Sequence, residues 1–230
     1  LDLKSPDKGI VSFLPLQVAA ADKDNNPDAD RILPCGGKLY VTLQDLDRTS
    51  MYAPAGPARL AVIDPAQPQG PAEYIQLAGQ NPVAITAPGG ACAQALIGHG
   101  DNQLAGMPAG KGGIERVDLP GKRSLGLLLS DTQLGGNVSA LDATAARAFV
   151  SLISKKGADF QHEVFPVDLQ SKQKGARVLG PLNYVAAIRV SGDELLVLSA
   201  GTPAAGQVKV GLYSGAASGA ALPEQPLDLG

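Results

Sequence analysis

A pattern of about fifty residues that recurs along the chain most constrains its fold. Three apolar runs, LAVIDPA, IERVDLP and VFPVDLQ, share an acid at Asp64, Asp118 and Asp168, and VKVGLYS places Gly211 at the same point. The intervals are 54, 50 and 43 residues. A second motif starts with asparagine in NPVAITAPGG, NVSALDATAA and NYVAAIRVSGD. Repeats of this length, each holding several short strands, are typical of β-propeller blades.

Residues 30–79 form the best-preserved copy and indicate the layout of one blade. They contain RILP, KLYVTLQDLD, ARLAVIDPA and AEYIQLAG, four runs that suit short strands and are separated by Gly- and Pro-rich turns. No window shows sustained helical periodicity. We therefore predict an all-β fold of about four four-stranded antiparallel blades within a single domain or fragment spanning 1–230. The expected parts are a terminal strand and acidic loop at 1–29, and blades at 30–79, 80–136, 137–181 and 182–230.

These same runs carry a family resemblance. GGKLYVTLQDLDR, followed by GPARLAVIDPA and IQLAGQNPVAI, resembles the YVTN-type β-propeller repeats of secreted bacterial proteins. The resemblance implies an exported propeller, usually with more blades than four, and it does not imply one activity. LDLK at the start and PLDLG at the end both look like strands of incomplete blades. We therefore expect missing sequence or a partner chain to complete the ring, with a homodimer as the less favoured route.

Charge and hydropathy exclude two classes of partner. The net charge is −3 and the pI is about 5.3, so the chain lacks the basic face that a phosphate backbone requires, and nucleic-acid binding is not expected. No apolar run reaches the length of a membrane span. The first residue is Leu rather than Met, and the two cysteines suit an oxidising compartment. We expect an extracytoplasmic protein of bacterial type, whether periplasmic, secreted or at the cell surface.

The acidic loop before the first blade is a candidate calcium site. Oxygen-bearing side chains occupy every second position, at Asp22, Asp24, Asn26, Asp28 and Asp30. Calcium takes six to eight hard oxygen ligands, which an alternating Asp/Asn loop can direct to one point. Pro27 stands where an EF-hand loop needs glycine, and Leu33 stands at its twelfth position. A solvated polar loop is the alternative, and no other cofactor is expected.

Two cysteines lie at equivalent points of neighbouring predicted blades. Cys35 follows one first strand and Cys92 follows the next. Equivalent turns of adjacent blades lie on the same face, so a disulfide between them would join the two blades. Two buried free thiols are the alternative. The spacing of these cysteines fits neither a zinc site nor a haem attachment motif.

The loops between the second and third strands are the longest, and in a propeller they gather on one face. They span 45–58, 98–112, 154–161 and 201–206. Tyrosine and arginine are common anchors of protein interfaces. The candidate binding residues in these loops are Asp45, Asp47, Arg48, Tyr52, His99, Asp101 and Asn102. The alternative for these residues is that they lie in exposed loops that bind no partner. His99 is expected to lie either at a mouth of the ring or in a surface loop.

These features predict a scaffold or binding module without catalytic activity. It is expected to associate with another protein or with the remaining blades of the propeller. One alternative is a propeller lactonase or hydrolase, which requires several carboxylates or histidines around a metal at the axis. Another is a structural subunit of a surface layer or fibre. The recurring Asp64, Asp118 and Asp168 are predicted to accept hydrogen bonds in turns, because an active site would single out one blade.

Overall fold

The computed structural model describes residues 16–18, 23–67, 70–101, 108–156, 159–200, 210–223 and 226, and its four antiparallel sheets are arranged as the blades of a β-propeller. Blade 1 has the strand order β1-β2-β5-β6. Its strands are β1 (Ala29–Cys35), β2 (Lys38–Leu43), β5 (Arg59–Ile63) and β6 (Glu73–Gln76). A small hairpin lies in the loop between β2 and β5, formed by β3 (Leu46–Asp47) and β4 (Ala53–Pro54).

The next two sheets, blades 2 and 3, form the middle of the array. Blade 2 consists of β7 (Pro82–Thr86), β8 (Gln94–His99), β9 (Gly113–Asp118) and β10 (Arg123–Ser130). A four-residue helix, α1 (Asp131–Leu134), follows β10. Blade 3 consists of β11 (Asn137–Ala143), β12 (Arg147–Lys156), β13 (Asp159–Asp168), β14 (Gln173–Lys174) and β15 (Leu179–Leu182). Both β14 and β15 pair with β13.

Blade 4 has three strands among the described residues. They are β16 (Val185–Ser191), β17 (Glu194–Ala200) and β18 (Val210–Ala216). The strand predicted at LDLK lies outside the described residues, and so does the one predicted at PLDLG apart from Pro226. In the part of the chain that is described, no helix has the length and apolar character needed to cross a membrane. The all-β, four-bladed prediction is thus confirmed, with three strands described in the last blade.

Consecutive residues of the inner strands bury their side chains against different neighbours. On β8, Ala95 and Ile97 belong to the core between blades 1 and 2, whereas Leu96 belongs to the core between blades 2 and 3. On β12, Val150 faces blade 2 and Phe149 faces blade 4. Because side chains alternate across a strand, a strand with two buried faces needs a continuous apolar run. The runs that mark each repeat are therefore explained by packing between blades.

One glycine allows two blades to approach closely. Gly98 lies on β8, and a Cβ atom at this position would lie 2.7 Å from Val138 Cγ1 on β11. Real Cβ atoms do not approach other atoms this closely, so any larger residue would push blades 2 and 3 apart. A glycine inside a strand often marks such an approach of one backbone to another. Here it sets the spacing of two adjacent blades.

The recurring acids close turns, as the repeat pattern predicts. Asp64 accepts a hydrogen bond from the N–H of Ala66, Asp118 from Gly121, and Asp168 from Ser171. The pKa of Asp64 is lowered first by the Lys38 side chain, whereas backbone N–H groups are the main cause for Asp118 and Asp168. The structural role predicted for these acids is confirmed.

The predicted disulfide is confirmed. Cys35 and Cys92 are bonded, with their Cα atoms 5.4 Å apart. Both belong to the core between blades 1 and 2, where Ala87 and Leu33 also pack. The bond closes a loop with a sequence separation of 57 residues, and a loop of this length is worth about 4 kcal/mol in the chain-entropy model. The disulfide thus joins the two blades at the turns that follow their first strands.

Replacing both cysteines, Cys35→Ser with Cys92→Ser, should lower the free energy of unfolding by about 2–4 kcal/mol, since the cross-link no longer restricts the unfolded chain. Denaturant titration under non-reducing conditions measures this loss. The matched control is the native protein treated with dithiothreitol, which should show a similar loss. Equal unfolding midpoints for the double variant and the oxidised protein would contradict the prediction.

Candidate functional site

The first strands of the four blades surround one axial cavity. Strand β1 packs beside β7, β7 beside β11, and β11 beside β16. A narrow part of about 100 Å³ lies between the middles of these strands. A wider part of about 580 Å³ lies between the turns that follow them, next to the disulfide. We call these parts the axial constriction and the vestibule. Small side chains on the first strands, such as Ala84, Ala140 and Ala186, leave this space open.

The axial constriction combines neutral walls with two arginines. Its lining includes Val83, Ser139 and Ala186 together with Arg31 from β1 and Arg189 from β16. Arg31 Nε donates to the carbonyl oxygen of Val83 at 3.1 Å. The side chain of Arg189 is 76% exposed, and its Nη1 lies 4.0 Å from Asp142 Oδ2. The axis thus carries exposed guanidinium groups, which the repeat pattern did not predict.

Asp142 is the carboxylate at this axis, and neutral groups hold it in place. It accepts hydrogen bonds from Thr86 Oγ1 at 2.5 Å, and from the N–H groups of Val190 and Ala143, each at 2.9 Å. Thr86 belongs to β7 and Val190 to β16, so this carboxylate connects blades 2, 3 and 4. These hydrogen bonds give Asp142 a structural role between three blades that requires no metal ion.

The lactonase alternative requires a cluster of carboxylates or histidines at the axis. Within the described ranges, no group of three or more His, Cys, Asp or Glu residues is placed to hold a metal ion. At the axis the structure shows Asp142 with Arg189 Nη1 at 4.0 Å, and Arg31 lines the axial constriction. No observation on these residues favours an axial metal over an anion.

A serine and a histidine meet beside the axial constriction. Ser139 Oγ lies 2.9 Å from Ser151 Oγ and 3.2 Å from His162 Nδ1. His162 is buried, and its ring contacts Tyr184 edge to face at a centroid distance of 5.2 Å. Burial lowers the pKa of His162 from 6.5 to about 4. The imidazole is therefore neutral near pH 7 and too weak a base to activate a serine nucleophile efficiently.

This depressed pKa makes a testable contribution to stability. The unfolded chain binds a proton at His162 below pH 6.5, whereas the folded protein does so below about pH 4, so acid favours unfolding across this interval. The free energy of unfolding should fall by about 2 kcal/mol more in the native protein than in His162→Gln between these two pH values. Urea titrations at a series of pH values measure the difference. Parallel curves for the two proteins would contradict the assignment.

The acidic loop is held by an arginine. Arg48 pairs with Asp28 at 3.0 Å and with Asp24 at 3.6 Å. Asn26 N–H donates to Asp24, and Asp28 N–H donates to Asn26. Asp22 lies outside the described residues. Calcium ligation by Asp22, Asp24, Asn26, Asp28 and Asp30 thus stays a prediction, and any ion would have to displace Arg48 from two of these carboxylates.

Two acids of the first long loop form its buried support. Asp45 is fully buried and accepts two hydrogen bonds from Arg59, at 2.6 and 2.9 Å. Asp47 is buried as well and caps a single turn of 3-10 helix by accepting from the N–H of Thr49 at 2.8 Å. Hydrogen bonds from Thr49 and Ser50 lower the pKa of Asp47. Both acids hold the loop in shape, and their predicted role in binding stays a prediction.

The tip of this loop is exposed and anchored. Met51 is 78% exposed and Tyr52 is 54% exposed. Their φ angles are 55° and 58°, in the left-handed region that residues with a side chain seldom adopt. Arg48, beside them, is fixed by its ion pairs to the acidic loop. We call Arg48, Met51 and Tyr52 the loop tip.

The expectation that His99 lies at a mouth of the ring or on a surface loop is wrong. His99 lies on β8, is fully buried, and places Nε2 2.8 Å from Glu115 Oε2. Burial raises the pKa of Glu115, but His99, Ser124 and the N–H of Ala78 outweigh that effect, so its pKa lies below the ordinary value. The position follows from strand alternation: His99 has the same parity as Ala95 and Ile97, which face blade 1. This alternation along the strand is the sequence signal from which the burial of His99 could have been predicted.

The substitution Glu115→Ala should destabilise the protein by about 3–5 kcal/mol, because it leaves the buried His99 and the buried N–H of Gly79 without their partner. It also removes the acceptor of the partly buried Ser124 hydroxyl and of the Ala78 N–H. The matched control is Glu73→Ala, which removes an exposed ion pair with Lys122 and should cost at most about 1 kcal/mol. Thermal and denaturant unfolding measure both values. Similar losses in the two variants would contradict a supporting role for this buried pair.

The second long loop also ends in buried acids. Asp101 is buried and accepts from the N–H of Ala109 through Oδ2, and Asp131 accepts from the N–H groups of Gly110 and Gly112. Asn102 lies outside the described residues. Asp101 therefore closes the base of this loop, and binding by Asp101 and Asn102 stays a prediction.

The comparisons with known proteins agree on the fold. No protein-family model and no curated protein matches the chain, so its resemblance to YVTN repeats stays a prediction. A computationally designed protein, Ika4, is similar with a TM-score of 0.50 and 13% identity over 86% of this chain and 94% of that one. The β-propeller domain of the Trilobed protease from Pyrococcus furiosus gives a TM-score of 0.53 and 9% identity over 86% of this chain.

Other similar structures belong to enzymes. The uncomplexed acylaminoacyl peptidase of Pyrococcus horikoshii has a TM-score of 0.54 and 8% identity over 90% of this chain. This chain spans 57% of the Pyrococcus furiosus chain and 34% of the Pyrococcus horikoshii chain. At these identities the similarity establishes the β-propeller architecture alone. The class of protein defined here is thus a four-bladed β-propeller array with an axial cavity.

Proposed function

We propose that this protein is an extracytoplasmic binding module that contacts a protein partner through the loop tip. The observation that carries the proposal is the exposure of Met51 and Tyr52 on strained backbone. The buried Asp45–Arg59 ion pair and the turn cap of Asp47 hold this loop in place. Left-handed residues with a side chain cost on the order of 1 kcal/mol each and persist where the surroundings enforce them. Such strain clusters at functional segments of proteins.

The chemistry of the loop tip suits a protein partner. Tyrosine and arginine are enriched among the residues that dominate binding energy, and methionine adapts to irregular surfaces. The tip is also preorganised, since Asp47 caps its turn and Asp28 fixes Arg48. Preorganisation reduces the entropy lost on binding. These features are more typical of a binding loop than of a loop that only connects two strands.

The disulfide supports the proposed compartment. Structural disulfides form and persist in oxidising environments and are rare where thiols are kept reduced. Cys35–Cys92 is buried in a core between blades, as expected of a structural bond. This bond supports the proposal that the protein works outside the cytoplasm.

A second contact is proposed at the outer face of blade 4, where further blades or a partner chain would pack. Leu198 is 37% exposed and Val210 is 59% exposed. The pairing of β17 with β18 sets them on the same face, with Leu212 opposite Leu198 and Ala200 opposite Val210. The opposite face, which carries Val197, is buried against blade 3. An apolar sheet face of this kind favours burial against another sheet or a partner chain.

Site-specific photo-crosslinking tests the loop tip. With benzoylphenylalanine in place of Tyr52, the protein should give one discrete adduct in an extract of the source organism. The matched control carries the same residue in place of Phe160, which is 43% exposed on blade 3 and should give no such adduct. The change Arg48→Ala should weaken the adduct at position 52 by about tenfold or more. The same adducts at both positions, or no adduct at position 52, would contradict the proposal.

A further inference from the structure

We propose that the axial constriction binds a carboxylate group, held between Arg31 and Arg189, while the body of the ligand occupies the vestibule. This inference is independent of the loop tip, because it rests on the first strands of the blades. Arg31 from blade 1 and Arg189 from blade 4 line the same cavity of about 100 Å³. The proposed ligand is either a small organic monocarboxylate or the carboxyl terminus of a peptide.

The two arginines keep donors available toward this cavity. A guanidinium has five N–H donors. Arg31 uses Nε toward Val83 O, and the same atom lies 3.2 Å from Asp30 Oδ2. Arg189 Nη1 is 4.0 Å from Asp142 Oδ2, beyond hydrogen-bond distance. Asp142 meanwhile accepts from Thr86, Ala143 and Val190, so neutral donors already satisfy much of its capacity.

Without a ligand, two positively charged residues thus line a space whose walls expose both polar and apolar groups. The walls are formed by the β7, β11 and β16 strands, with small or aliphatic side chains such as Ala140 and Ile85. Ser139 adds a hydroxyl group at the same cavity. Charge-assisted hydrogen bonds are about twice as strong as those between neutral groups. An anion placed here would gain two cationic partners and one neutral polar partner.

The shape of the cavity indicates how the ligand enters. The axial constriction shares Arg189 with the vestibule, which lies between the turns after the first strands and has a volume of about 580 Å³. Small-molecule sites commonly have volumes of about 300–1,000 Å³. A ligand with one charged end and a small body would therefore fit with its charge in the axial constriction and its body in the vestibule.

Charge distinguishes a carboxylate from a phosphate. Arginine binds both groups in a planar, two-point geometry. However, the vestibule is lined by Asp142 and Asp193, and their negative charge opposes the entry of a doubly charged group. A single carboxylate encounters less repulsion and fits the narrower space. The geometry therefore favours a monoanion.

Titration calorimetry and amide NMR shifts test the site with two probes. Butyrate represents a small organic acid, and tri-alanine represents a peptide terminus. Their neutral controls are butanamide and the C-terminal amide of tri-alanine. We expect at least one acid to bind, with shifts along β7, β11 and β16, and its amide to bind at least about tenfold more weakly, since each lost charge-assisted bond has about this effect. The acid that binds more tightly identifies the source of the carboxylate.

Variants that each lack one arginine charge test whether the probe binds at the axis. Arg31→Gln and Arg189→Gln should each weaken binding about tenfold, whereas Arg177→Gln, which removes an exposed arginine paired with Glu163, should leave it unchanged. If Arg31→Gln does not fold, Arg31→Lys and Arg189→Gln provide the test. The inference is overturned if neither acid binds at millimolar concentration, if phosphate binds as tightly as the acids, if the amides bind equally, or if binding is unaffected by both axial substitutions.

Discussion

The packing of one sheet against the next holds this structure together. A four-stranded sheet with apolar side chains on both faces cannot bury them alone, so each inner blade needs two neighbours. Three separate cores join blade 1 to blade 2, blade 2 to blade 3, and blade 3 to blade 4. The contact of Gly98 with Val138 and the Cys35–Cys92 bond fix the distance between blades at two points. Because the first strands lie at one edge of each sheet, this stacking brings them together and creates the axial cavity.

Buried polar groups act at the junctions between blades. Glu115 on blade 2 accepts from the N–H groups of Ala78 and Gly79, which follow the last strand of blade 1. Asp142 on blade 3 accepts from Thr86 on blade 2 and from the backbone of Val190 on blade 4. A buried carboxylate without partners is costly, so each of these contacts favours one relative position of two sheets. Apolar packing gives the energy of association, and these hydrogen bonds select its geometry.

Much of the fold was predictable because it depends on local pattern. The repeated Val/Ile–Asp ends gave the number of blades, and the equivalent positions of Cys35 and Cys92 gave the disulfide. The burial of His99 could have been predicted from its parity with Ala95 and Ile97 on β8. The presence of Arg31 and Arg189 at one cavity could not have been predicted. These residues are 158 positions apart, and they line the same space only because four blades curve around an axis. Likewise, the left-handed backbone of Met51 and Tyr52 has no marker in the sequence, since neither is a glycine or an asparagine.

The central claim of this account is that stacking the blades creates a carboxylate site on the axis. A crystal structure of the protein grown with butyrate tests it most directly. The account predicts electron density for a carboxylate in contact with the guanidinium groups of Arg31 and Arg189, with the aliphatic chain directed toward the vestibule beside Cys35–Cys92. Density for butyrate elsewhere only, with Arg31 turned to Asp30 and Arg189 bonded to Asp142, would contradict the claim.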